Sequence, residues 1–127
     1  MNDHHTHRSW RRKFADAFRG VALGVRGQSS FFVHFSVAVA VGLAAAVLQV
    51  SRIGWCVLAI CIAAVLTAEM FNSALERLAR AVDPSFNPHV AAALDIASAA
   101  VLLSAIGASS VGIVIFLPRI VTWWQGG

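Results

Sequence analysis

Residues 55–76 read WCVLAICIAAVLTAEMFNSALE, and this stretch decides the fold class. It is about as long as the ~20 apolar residues that carry a helix across a bilayer. Its far end breaks the apolar pattern with two carboxylates and a carboxamide, Glu69, Asn72 and Glu76. Spacings of three, four and seven residues put all three on one helical face, because seven residues return almost to the starting angle. A charge at membrane depth costs at least ~2.5–3.5 kcal/mol on insertion scales, so an ionisable residue there marks a functional site by default.

Two further apolar stretches flank this one, about Phe31 to Val50 and Ile96 to Leu117, with the central span about Trp55 to Leu75. The whole chain agrees: 58% of its 127 residues are hydrophobic and only 13% are charged, well below the roughly 25% of soluble domains. The expected fold is an all-α membrane protein, with an N-terminal segment over 1–30, three spans within 31–118 and a short tail over 119–127. A secretory signal peptide is not expected, because the first apolar run begins near residue 31 and far exceeds a signal core.

Basic residues give the orientation, since short cytoplasmic loops carry the excess of Lys and Arg. Arg8, Arg11, Arg12, Lys13, Arg19 and Arg26 precede the first span and Arg77 and Arg80 follow the second, whereas Arg52 and Arg119 fall on the other side. The N-terminus and the second loop are therefore expected to face the cytoplasm, which places the chain in the cytoplasmic (inner) membrane. A pI near 10.5 is accounted for by topology and anionic headgroups, so no nucleic-acid partner is expected.

From Trp10 to Val25 the apolar residues Trp10, Phe14, Phe18, Val21, Ala22 and Val25 recur at helical spacing, with Arg8, Arg12, Asp16 and Arg19 largely opposite. That pattern predicts an amphipathic helix lying in the membrane interface. Gly20, Gly24 and Gly27 have the wrong spacing for a nucleotide fingerprint. His34, just inside the first span, reads as a polar residue anchoring the interface. Cys56 and Cys61 are about 140° apart on one helix and cannot pair with each other. His4, His5 and His7 read as a polar chain end. Ala38, Gly42 and Ala46 in the first span, and Ala100, Ser104, Ala108 and Gly112 in the third, form small-residue stripes suited to close helix approach. Three helices enclose little volume, so a polar face predicts oligomerisation with the site between subunits.

Asp83-Pro84 and Asn87-Pro88 break the chain after the second span, because the residue before a proline is pushed out of the α region. Asp95 is expected at the cytoplasmic start of the third span, where a carboxylate suits a helix N-terminus, with Ser98 one turn further in. Glu69, Asn72, Glu76 and Asp95 then form an oxygen-rich group near the cytoplasmic interface. Mg²⁺ is usually held by one or two carboxylates plus substrate phosphates. Glu76 is better placed to meet a soluble metal complex, and the deeper Glu69 suits a general base acting on a lipid hydroxyl.

The block AEMFNSALE, then PSFNP and ALDIASAAVLLSAI, with GVRGQSSFFVHF upstream, resembles the signature of the small prokaryotic diacylglycerol kinases over about residues 15–118. The resemblance implies a homotrimer of three-span subunits, each with a surface helix, transferring the γ-phosphoryl group of MgATP to a membrane lipid alcohol. It implies Glu69 as catalytic base and substrate contact, Asn72 as the polar residue beside it, and Glu76 as metal ligand. Asp95, Phe86 and Asn87 fall near the nucleotide and Ser98 near the lipid. Gln28 stands where the family usually has a second metal-ligating glutamate, Leu94 where it usually has a phosphate-contacting lysine, and Phe32 where one branch has arginine. Arg77, Arg80 and the N-terminal arginines are the cations at hand. Diacylglycerol is the expected acceptor, with undecaprenol the alternative. A relative without catalysis, serving membrane binding or assembly, is the reading from another class; a small transporter would leave PSFNP and LDIASAAVLL unexplained.

Overall fold

A computed structural model describes residues 9–26, 29–82 and 85–126. Four helices follow one another: α1 (Trp10–Val25), α2 (Ser29–Val47), α3 (Arg52–Val82) and α4 (Pro88–Trp124). The last three are long and apolar enough to cross a membrane. Gln28, the Asp83-Pro84 pair and the His4, His5 and His7 tract lie outside the described residues.

The helices outrun the expected spans. At 1.5 Å per residue, the 31 residues of α3 make a rod of ~46 Å, against a hydrocarbon core of ~30 Å. Hydropathy marks only the part of a helix that sits in lipid, and nothing in the backbone stops at the membrane surface. At α4 the helix starts at the Asn87-Pro88 break, well ahead of the apolar span. Asn87 is the N-cap, its side chain accepting from the backbone N–H of His89 and Val90, and Pro88 occupies the first turn, where its missing N–H costs nothing. Asp95 therefore lies two turns inside the helix and is no cap. At the other end, α4 runs through Pro118 to Trp124, so most of the expected tail over 119–127 is helical.

Packing is uneven. α3 and α4 form the main helix pair, with α2 and α1 resting more lightly on α3. The apolar cluster sits where α2 turns into α3: Ala45, Val50 and Leu58 are buried against Val41, Ile115 and Phe116. Gln49 makes this turn with a positive φ of 52°, a left-handed conformation costing a non-glycine residue of order 1 kcal/mol. Arg119 of α4 closes the same end by donating to the carbonyls of Leu48 (3.3 Å) and Gln49, two acceptors that helix termination leaves open.

α1 begins at Ser9, whose hydroxyl accepts from the N–H of Arg12. Its far end docks on α3: Arg77 donates to the Leu23 carbonyl at 2.7 Å, and a Cβ at Gly24 would meet the Met70 sulfur. Glycine there permits the close approach. Trp10, Phe14 and Phe18 are exposed. Beside Gly42 and Gly112 a Cβ would meet nothing within 4 Å, and Gly112 lines a cavity among α2, α3 and α4 together with Ala38 and Ala108.

Candidate functional site

The polar stripe of α3 is buried. Glu69 is 3% exposed, Asn72 8% and Ser73 3%, and they are the buried polar residues among those described. Each turns inward because the α3 face that meets its neighbours is the face they occupy. Two of their atoms have no hydrogen-bond partner among the described residues, Asn72 Oδ1 and Ser73 Oγ. Leaving such a group buried and unpaired costs about 1–3 kcal/mol.

Ser73 is the more telling of the two. Ser36, Ser104, Ser110 and Thr122 each donate their hydroxyl to the carbonyl four residues back, the usual recourse of a helical hydroxyl. Ser73 is more buried than these and makes no such bond. Sequence reading assigned it no role, although it lies inside the quoted block one turn from Glu69.

Asn72 Nδ2 donates to Glu76 Oε1 at 3.1 Å, which ties the stripe together. The other oxygen of Glu76 faces Arg80 at 3.8 Å, on a side chain one-third exposed. Glu76 thus belongs to the more exposed end and Glu69, two turns and ~10 Å away along the axis, to the buried end.

Glu69 is not without an ionisable neighbour, although none stands within a turn of it on its own helix. His34 of α2 places Nε2 at 3.1 Å from Glu69 Oε1. The expectation that His34 only anchors the interface overlooked this contact. A signal existed: His34 lies three residues inside its span and Glu69 six residues from the end of the next, so in an up-down arrangement the two share a depth to within about one turn.

Besides an apolar concavity between α3 and α4 that Asn72 itself lines with Phe71, Ile96 and Ala97, two others adjoin the stripe. A cleft at the α3–α4 corner is lined by Glu76, Arg80, Phe86, Asn87 and Leu94, among others. It thus gathers Glu76 with two of the residues the resemblance placed near the nucleotide. Phe86 is exposed, and the Asn87 side chain is used in capping α4. Arg80 is the cation on the cleft wall, whereas Arg77 is committed to the end of α1. The second concavity, about 390 Å³, lies among α2, α3 and α4; it is apolar along Val41, Leu58, Val65 and Phe116, and His34 is on its wall.

Asp95 and Ser98 are exposed on α4 and line none of these concavities. Among the described residues no three or more His, Cys, Asp or Glu side chains converge on one point. The Glu76 carboxylate and the Asn72 oxygen are the kind of donors that Mg²⁺ takes alongside waters and phosphate, and both Glu76 oxygens face protein groups here, Asn72 and Arg80. Cys56 and Cys61 are both free.

Comparison with known proteins gives a consistent picture. A family model described as prokaryotic diacylglycerol kinase matches residues 15–116. The chain is 28% identical over 109 residues to the undecaprenol kinase of Bacillus subtilis, covering 86% of this chain and 89% of that protein. It is 36% identical over 110 residues to the diacylglycerol kinase of Synechocystis, covering 86% of this chain and 63% of that protein. No solved structure matches the chain.

Proposed function

Because the chain belongs to the prokaryotic diacylglycerol kinase family, we propose that it is an integral-membrane lipid kinase transferring the γ-phosphoryl group of MgATP to diacylglycerol, giving phosphatidic acid. The observation carrying this reading is the buried stripe Glu69, Asn72, Ser73 leading to the accessible Glu76. Burial at one end suits a lipid alcohol and exposure at the other suits a soluble nucleotide.

In this reading the Glu69 carboxylate takes the proton of the lipid hydroxyl as the alcohol oxygen attacks the γ-phosphorus. The bond from that phosphorus to the bridging oxygen breaks, and ADP leaves. Mg²⁺, when bound, neutralises phosphate charge; Glu76, the Asn72 oxygen and, by resemblance, Gln28 are the residues that would hold it. Such chemistry is mostly positioning and charge stabilisation. Arg80 supplies a cation to the cleft in which Leu94 stands in place of lysine. Phe86 and Asn87 border the nucleotide.

The exposed positions of Asp95 and Ser98 are accommodated by a homotrimer in which a neighbouring copy brings its face of α4 to this stripe, Asp95 toward nucleotide and Ser98 toward lipid. α1 lies along the cytoplasmic face of the inner membrane, Trp10, Phe14 and Phe18 in the acyl boundary.

Undecaprenol is the second reading for the acceptor, favoured by the match along most of the Bacillus subtilis undecaprenol kinase. The test is a competition: the reconstituted protein receives labelled ATP, Mg²⁺ and equal amounts of diacylglycerol and undecaprenol. Label mainly in phosphatidic acid is the expected result. Label mainly in undecaprenyl phosphate transfers the assignment to the second reading, and label in neither lipid overturns the kinase reading.

A further inference from the structure

His34 and Glu69 meet across the α2–α3 interface, Nε2 to Oε1 at 3.1 Å, with side chains 24% and 4% exposed. The contact occupies one carboxylate oxygen of Glu69 and leaves the other available. His34 is the one ionisable partner that Glu69 has among the described residues. α2 carries no other ionisable side chain in its helical span. A buried carboxylate without a donor is costly, and a carboxylate free to rotate about its terminal torsion presents its basic oxygen in many directions.

We infer that His34 is a positioning residue for the base: its Nε2–H donates to Glu69 Oε1, fixing the carboxylate plane so that Oε2 faces the acceptor hydroxyl. This rests on the lipid kinase reading for its consequence and on the geometry alone for the pairing. His34 touches neither the hydroxyl nor the phosphate in this arrangement; it acts through Glu69. Its place on the wall of the α2–α3–α4 cavity leaves the imidazole more accessible than the carboxylate it holds.

A misdirected catalytic group costs on the order of a hundredfold in rate. His34→Leu is therefore expected to lower kcat by about tenfold to a hundredfold, with KM for ATP nearly unchanged. His34→Gln, whose amide N–H donates from a similar reach, recovers most of that loss. On a Glu69→Gln background His34→Leu removes nothing more, because residues that act as a unit are not additive. Helical content and oligomer size are measured for every variant, and His34→Gln carries the comparison if His34→Leu does not fold. Wild-type kcat in His34→Leu, equal losses in the Leu and Gln variants, or an additive loss on the Glu69→Gln background overturns the assignment. The pairing is read separately from the ring-nitrogen resonances of isotope-labelled His34, which are expected to move in Glu69→Gln; unmoved resonances overturn it whether or not the protein phosphorylates a lipid. A wild type that phosphorylates no lipid overturns the kinase reading while those resonances still decide the pairing.

Discussion

The two ends of the α2–α3–α4 bundle solve opposite problems. Where α2 turns into α3, Ala45, Val50 and Leu58 close an apolar cluster and Arg119 fills the open carbonyls of Leu48 and Gln49. At the other end Glu69, Asn72 and Ser73 are equally buried but polar, and two of their oxygens are left without partners. One end spends its chemistry on holding the helices together. The other keeps unsatisfied groups under cover, which lowers stability and leaves them open to a ligand.

Substitutions at the two ends should therefore separate activity from stability. The largest effect belongs to Glu69→Gln, which keeps the volume and removes the base; a general base contributes about 10²–10⁴-fold, so turnover in the lipid phosphorylation assay is expected to fall by that range with helical content retained. Leu58→Ala, at the apolar end, should do the reverse. It opens a cavity costing about 2–3 kcal/mol, seen as a lower Tm in detergent, while kcat per folded protein stays at the wild-type level.

Asn72→Leu sharpens the contrast. It removes a buried oxygen that has no partner together with the hydrogen bond to Glu76, two effects of opposite sign, so Tm is expected to change little, whereas phosphoryl transfer falls by about tenfold or more, a loss of ~1.4 kcal/mol in transition-state stabilisation. A fall in Tm with activity unchanged would make Asn72 an ordinary structural residue. The smallest effect is assigned to Arg80→Gln. A partly exposed charge contributes about 1 kcal/mol or less, so KM for ATP should rise by up to about fivefold with kcat for the lipid nearly constant.

What was legible in the sequence follows from which forces act locally. Hydrophobic length marked the three spans and helical spacing aligned Glu69, Asn72 and Glu76, because each signal is carried by neighbours along the chain. Helix ends were read less well. Asp95 marks where the third apolar span begins, but the helix itself begins eight residues earlier, capped by Asn87, because a cap is set by local backbone geometry and not by hydropathy. The His34–Glu69 contact joins residues on different helices, and its only trace in the sequence is a shared membrane depth. Ser73 stayed invisible for another reason: a serine in a helix normally satisfies itself on the backbone, and only the structure shows that this one does not.

Transfer of label from ATP to lipid by the folded, reconstituted wild-type chain, run beside Glu69→Gln, tests the division of labour between the two ends most directly. The account predicts labelled phosphatidic acid from the wild type and almost none from the variant, with both proteins equally helical and of equal oligomer size. Equal labelling by the two proteins, or no labelled lipid from a folded wild type, would contradict it.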